Sequence, residues 1–322
     1  MRVKAVEEKA LLSPKDAVAE ALIHLCETDD RIVVLNADIS SYVGLHDFAS
    51  RFPEHTYNLG VAEQDLVLTA AGMALVGKIP YAVSYASFLA GRAYDAMRNA
   101  VAMPNLPVRF VAVCAGITAG EEGAAYQALE DIALMRALPK MTVLVPADFQ
   151  STRRLLLNSL SWNGPLYIRL GCIPLPQLYG TDDDGFPVGG GRLLREGKSV
   201  TICACGIMVH EAMKAAAVLA RQGIEAEVID CYSIKPLPVM LIQSSLRRTG
   251  CCVVAEEHNI IGGLGSAVAE IAATTCPIPI RFVGVEDRFG QSGSSEELQE
   301  YYALTHQHIV SAAAQVWPLR RR

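Results

Sequence analysis

Charge is scarce in this chain. Asp, Glu, Lys and Arg make up 19% of the 322 residues, against 51% hydrophobic residues. That balance excludes a disordered chain and supplies enough apolar area for a core without disulfide or metal staples. Basic residues are in deficit, with a formal net charge of −6, and the one basic run is the tail Arg320-Arg321-Arg322. Such a chain suits neither nucleic acid nor an anionic membrane surface. Long apolar runs are also missing. The weakly polar stretch 66–77 is about half of a membrane span, and the start, Met1 to Lys9, holds no apolar signal region. The nine cysteines form no CxxC pair, and the expectation is buried, reduced thiols in a cytoplasmic protein. The seven histidines are scattered. Only His306 and His308 lie close together, without further ligands nearby, so no metal site is expected from this chain. Neither a GxxxxGK[ST] phosphate loop nor a GxSxG elbow occurs. Gly263-Leu-Gly265-Ser-Ala-Val268 nearly matches a dinucleotide fingerprint but ends in Val and follows no strand directly. It reads as a helix start with small residues for close packing.

What is present is alternation. Short apolar β-branched runs at 31–35, 108–114, 141–145 and 166–170 predict strands, and 61–76, 124–136 and 149–160 predict helices. Fully apolar strands alternating with helices imply a parallel sheet covered on both faces. A break follows at 171–199, with Pro174, Pro176, Pro187, the run Asp182-Asp183-Asp184 and Gly189-Gly190-Gly191, which reads as a solvated linker. The pattern then restarts. Strands are predicted at 200–205, 225–230, 251–255 and 280–285, and helices at 209–222, 237–247 and 265–274. Two helices finish the chain, the first entered through the cap Ser294-Ser295-Glu296-Glu297. The expected fold is α/β with two doubly wound domains: 1–175, a linker at 176–192, and 193–322.

The informative stretch is Asn58-Leu-Gly60-Val-Ala-Glu63-Gln64, which opens the Ala/Gly-rich helix. Glu63 sits within its first turn among small apolar neighbours, partly desolvated; taken alone, it complements the helix dipole. Its context says more. Ala71-Gly72-x-Ala74-x-x-Gly77-x-x-Pro80 and Tyr85-Ala-Ser-Phe88-x-x-Gly91-Arg92-Ala-Tyr-Asp95 follow in order. Together these segments resemble the pyrimidine-binding domain of transketolases. Asn36-Ala37-Asp38, Ala128-Leu-Glu130-Asp131, Val145-Pro146-Ala147-Asp148, Tyr167-Ile168-Arg169-Leu170, Glu256-Glu257-His258-Asn259 and Asp287-Arg288-Phe289-Gly290 extend the likeness over nearly all of the chain, in order. Full-length transketolases begin with a domain that binds the cofactor diphosphate through Mg²⁺ with a Gly-Asp-Gly motif, and no Gly-Asp-Gly occurs here. The chain thus resembles the carboxy-terminal subunit of a split transketolase. The resemblance implies thiamine diphosphate as cofactor and an amino-terminal partner subunit that supplies the Mg²⁺ ligands. It also implies an α2β2 heterotetramer acting on a sugar or sugar phosphate, and weak cofactor binding by this chain alone.

The resemblance also implies roles. Glu63 would share a proton with the pyrimidine nitrogen opposite the amino group and so favour the imino form that deprotonates the thiazolium carbon; the cofactor carries the carbanion chemistry. Phe88 and Tyr85 match aromatic positions that pack on the pyrimidine, although core packing would equally explain them. Asp38 would lie near the cofactor, or cap a helix. Arg92 and Asp95 would order the loop after Phe88, or form a surface ion pair. On the substrate side the pattern departs. The family's Gly-Glu-Asp-Gly-x-Thr-His-Gln is Gly120-Glu121-Glu122-Gly123-Ala124-Ala125-Tyr126-Gln127, so that Asp becomes Glu122 and the substrate-contacting His becomes Tyr126. A phosphate-contacting His appears as Cys114 and a Ser as Tyr42, whereas Arg169 stands where the family grips phosphate in two-point fashion. A narrower pocket and a different donor or acceptor follow. Three other readings share parts of this plan: the β subunit of a 2-oxo-acid dehydrogenase, a deoxyxylulose-phosphate-synthase-like enzyme, and a subunit without turnover.

Overall fold

Runs of β-branched residues apolar on both faces are stable only inside a sheet that is covered twice, and two such sheets organise this chain. The computed structural model describes residues 11–183 and 185–321. Met1 to Lys9, read above for a signal region, together with Asp184 of the acidic run and Arg322 of the basic tail, lie outside the described residues.

The first half contains α1 (Ala17–Thr28), β1 (Ile32–Asn36), α2 (Leu45–Arg51), β2 (Thr56–Asn58), α3 (Glu63–Leu75), β3 (Ile79–Tyr85), α4 (Ala86–Arg92), α5 (Tyr94–Ala96), β4 (Arg109–Val113), α6 (Asp131–Ala137), β5 (Thr142–Leu144), α7 (Phe149–Asn158) and β6 (Leu166–Arg169). The second contains β7 (Arg192–Arg195), β8 (Val200–Ala204), α8 (Met208–Arg221), β9 (Ala226–Asp230), β10 (Ser233–Lys235), α9 (Val239–Thr249), β11 (Cys252–Asn259), α10 (Leu264–Thr275), β12 (Ile280–Val285), α11 (Ser295–Tyr301) and α12 (His306–Val316). The sheets run β10-β5-β6-β4-β3-β1-β2 and β12-β11-β8-β9-β7. Every pairing is parallel except β10 on β5 and β7 on β9, so the two antiparallel strands are edges. All five residues of β1, of β4 and of β8 are buried, as expected for strands with helices on both sides. This is the two-sheet α/β fold expected.

Local differences have physical causes. Helix α1 buries Val18, Ala21, Leu22 and Leu25, a three- and four-residue spacing that the sequence reading passed over. Strand β3 lies in the interior of its sheet, between β4 and β1, although it contains Pro80, a residue that demotes a run when sequence alone is read. The helix predicted at 124–136 begins only at Asp131, after Gly123 turns the chain at φ 79°.

Two expectations are corrected. Residues 171–199 are largely irregular and mostly exposed or half-exposed, but they are not solvated throughout. Tyr179 and Phe186 are buried there and stack edge to face at 4.8 Å, and Phe186 meets Tyr232 of the second half at 5.2 Å. The aromatic residues between the prolines and glycines carry this segment into the core. Nor are all nine thiols free: Cys114 and Cys172 form a disulfide. The parallel pairing of β4 with β6 brings Ala112 beside Arg169, so the residues just beyond the two strand ends are neighbours despite a sequence separation of 58. The other seven cysteines are free, six of them buried.

Candidate active site

In parallel sheets, ligands collect beyond the carboxyl ends of the strands. Here β1, β2, β3 and β4 end at one rim. β1 leads to Asp38, held with a left-handed backbone at φ 61°. The Asn58 side chain at the end of β2 ties this corner together. Its carbonyl oxygen accepts from the backbone N–H groups of Asp38 and Gly60, both at 3.0 Å, and its amide donates to the Asp38 carboxylate at 3.1 Å. Gly60, at φ 72°, makes the turn that directs the chain into α3, whose first residue is Glu63.

Glu63 is only 3% exposed. Two groups face its carboxylate: Ser84 Oγ of β3 donates to Oε1 at 3.4 Å, and Arg92 Nη1 lies 3.3 Å from Oε2. Arg92 also lies over the Phe88 ring, 4.0 Å from its centroid. Gln64 of α3 donates to the Arg92 carbonyl at 3.0 Å and so fixes the end of α4. Around this base stand four rings: Tyr85 contacts Tyr42, Phe88 and Tyr126 at centroid distances of 5.6, 5.8 and 5.1 Å, and Phe88 meets Tyr126 at 5.0 Å. They bound a cleft of about 190 Å³, with Ala37, Asp38, Glu63 and Val61 completing its walls. Burial pushes the Tyr85 hydroxyl up to about 12, with the Glu122 carboxylate adding to it, and the same two causes raise Tyr42. Burial also lifts the Glu122 carboxyl above its ordinary range.

Asp38, Glu63, Tyr85, Phe88 and Tyr126 therefore meet in one cleft and Arg92 covers its aromatic wall, whereas Glu122 is exposed, does not line the cleft and acts on Tyr85 only through its charge. Two other expected residues do not line it. Cys114 is fully buried, bonded to Cys172, with its sulfur 2.8 Å from the Tyr42 hydroxyl, so it backs the cleft rather than facing it. Arg169 is buried in the seam between the two sheets. Its Nε donates to Asp131 at 3.0 Å and its Nη2 to the carbonyls of Glu257 at 2.8 Å and Ala128 at 3.2 Å. Burial opposes its charge, but the Asp131 and Glu257 carboxylates more than offset this and raise its pKa. A guanidinium so engaged is a structural cation, which corrects the expectation that it grips a sugar phosphate. Sequence reading missed Ser84 and Lys15. Ser84 carries no motif, and Lys15, whose ammonium lies 3.9 Å from the Tyr42 ring centroid, becomes a neighbour only through folding. Gln64 stood within the quoted motif, its role unseen.

A carboxyl at the floor of an aromatic cleft fits an aminopyrimidine: the ring can stack on Phe88 while a ring nitrogen meets Glu63. The Arg92 side chain that covers Phe88 is 53% exposed. Among the described residues, no three His, Cys, Asp or Glu side chains converge as a metal site, and no helix is long and apolar enough to cross a membrane.

Comparison with known proteins places the chain in a family. Residues 12–175 match the family described as the transketolase pyrimidine-binding domain, and residues 189–309 match the transketolase C-terminal domain. The chain is 41% identical over 292 residues to a putative transketolase C-terminal section of Methanocaldococcus jannaschii, covering 90% of this chain and 92% of that one. It is 40% identical to the 6-deoxy-6-sulfo-D-fructose transketolase subunit of a Clostridium species, covering 94% of both. A 1-deoxy-D-xylulose-5-phosphate synthase of Desulforudis audaxviator is 35% identical, and this chain spans 48% of it. Among solved structures, a split-gene transketolase in an inactive β4 tetramer superposes with a TM-score of 0.89 at 45% identity, over 96% of this chain and all of that one. The chain belongs to the transketolase family of transferases.

Proposed function

We propose that this chain is the carboxy-terminal subunit of a thiamine-diphosphate-dependent transketolase that turns over only when a second chain completes the cleft. In this reading 1–175 form the pyrimidine-binding unit, 176–192 the connection and 193–322 the second domain. The observation that carries it is Glu63, buried at the floor of the cleft beside the Phe88 ring. Phe88 and Tyr85 hold the aminopyrimidine by stacking, and Arg92 withdraws from Phe88 to admit it. Asp38, fixed by Asn58, borders the same space. Glu63 holds a proton at its carboxyl oxygen opposite the ring nitrogen and returns it during turnover, with Ser84 Oγ steadying its other oxygen. The bound cofactor supplies the carbanion chemistry of two-carbon transfer.

The Mg²⁺ and diphosphate ligands come from an amino-terminal partner, and the assembly is an α2β2 heterotetramer. One fact supports partner dependence: the similar split-gene protein is inactive as a tetramer of β chains. The test is ketol transfer by the co-expressed pair, with Glu63→Gln as comparison. The variant should lose at least about 100-fold in kcat, the scale of positioned proton transfer. Equal rates would remove Glu63 from the chemistry.

A further inference from the structure

We propose that Gln127 is a positioning residue for the cofactor cleft: fastened by the second domain, it holds the Tyr126 ring against Phe88. The second domain thereby sets the affinity of a cleft to which it contributes no lining side chain. This rests on the proposed reading of the cleft as the aminopyrimidine site and adds a residue to it.

Tyr126 meets both Tyr85 and Phe88, at centroid distances of 5.1 and 5.0 Å. Tyr85 ends a strand and Phe88 belongs to a helix, but Tyr126 stands on irregular backbone between Gly123 and the start of α6. Such backbone has no ladder of its own, so its other ties decide where the ring stands.

The residue beside the ring supplies the main tie. Gln127 is 4% exposed, and its Nε2 donates to the carbonyls of Gly120 at 3.1 Å and Gln291 at 2.9 Å. Gly120 lies in the same loop as Tyr126, whereas Gln291 follows β12 in the second domain. The Gln127 Oε1 packs so closely on Gly290 that a Cβ there would collide with it. Further contacts run the same way. Upstream of Tyr126, Glu257 of β11 accepts from the Thr118 N–H at 2.9 Å. Downstream, the Asn259 N–H donates to the Leu129 carbonyl at 2.8 Å. A Cβ at Gly123 would come within 2.7 Å of Ser292 Oγ. The second domain thus fastens the segment on both sides of Tyr126. A ring held in place before the cofactor arrives loses little freedom on binding, so a loosened Tyr126 costs affinity.

The test is the Kd for thiamine diphosphate, with Mg²⁺ present, of the assembled two-chain complex, measured by calorimetry beside urea midpoints. Gln127→Met keeps the side-chain length and loses both hydrogen bonds. It leaves two carbonyls without their donor, so if it does not fold the decision passes to Gly290→Ala. Gly290 has no left-handed backbone and lies in a surface loop, so its methyl acts by pushing the Gln127 amide aside. Each variant should raise Kd by about 3- to 10-fold, the scale of one aromatic pair. Tyr126→Leu should raise it by the same factor, and Gly290→Ala should add nothing further in that background. A merely structural role would lower the urea midpoint and leave Kd where it was, which would overturn the inference. Additive effects of Gly290→Ala and Tyr126→Leu would overturn it too, by showing that Gln127 does not act through the ring. If the wild-type complex binds no thiamine diphosphate, the cofactor reading fails and takes the inference with it. Tight binding by wild type and variants alike removes the inference alone.

Discussion

Arg92 and Glu63 approach to 3.3 Å across the cleft, a half-exposed guanidinium against a buried carboxylate. The same guanidinium covers Phe88, so one side chain occupies both surfaces that an aminopyrimidine needs. A pair with one partner in solvent is a weak bond, worth about 0.5–1 kcal/mol and screened by salt. A double-mutant cycle with Glu63→Gln and Arg92→Gln should give a coupling energy in that range, smaller at high ionic strength. A coupling of several kcal/mol would mean that Arg92 is locked in place and does not yield to a ligand.

Arg169 and Asp131 behave differently, since neither is more than 3% exposed and Tyr167 donates a further hydrogen bond to Asp131 at 2.9 Å. Removing one member leaves a buried charge unpaired, at a cost of about 3–5 kcal/mol. Asp131→Asn should therefore show its main effect in urea unfolding and leave KM for the sugar within about two-fold in the folded protein. A large rise in KM with unchanged stability would restore Arg169 as a substrate ligand.

The disulfide makes a simple count possible. Protein purified without reductant and then denatured should expose seven reactive thiols, and nine after reduction. Nine thiols before reduction would contradict the Cys114–Cys172 bond. Because Cys114 touches Tyr42, reduction should also change the fluorescence of the tyrosine cluster around the cleft.

Asp230 gives stability a defined pH dependence. Burial pushes its carboxyl up to about 7, against the pull of the Tyr179 hydroxyl 2.6 Å away and with Asp148 adding to the rise. Between about pH 4 and 7 the folded chain keeps this proton while the unfolded chain has lost it. Stability from this group is therefore fully present below about pH 4, falls as pH rises through that window and is flat above it. Relative to Asp230→Asn, the wild type should lose up to about 1.4 kcal/mol per pH unit there. Urea midpoints of the two proteins measured from pH 4 to 8 check this. Parallel curves would show that Asp230 ionises normally.

Much of the fold was legible because buried parallel strands are apolar throughout, as β1, β4 and β8 are, and such runs stand out in sequence. Strand β3 was hidden by Pro80, and β10 because three residues crossing to the edge of another sheet carry no local pattern. In the site, Glu63, Tyr85 and Phe88 were marked by motif. Ser84 and Lys15 were not, since their roles arise when α3 packs beside β3 and when Lys15 meets the Tyr42 ring. Arg169 illustrates the reverse error. Its type and place suggested a phosphate ligand, and only the fold reveals that Asp131 has claimed it.

The most direct measurement is a crystal structure of the two-chain assembly with thiamine diphosphate bound. The account predicts Arg92 turned away from Phe88, the pyrimidine on that ring, and a Glu63 carboxyl oxygen within about 2.6–3.2 Å of the ring nitrogen. A bound cofactor with Glu63 still paired to Arg92 and the pyrimidine outside this cleft would contradict it.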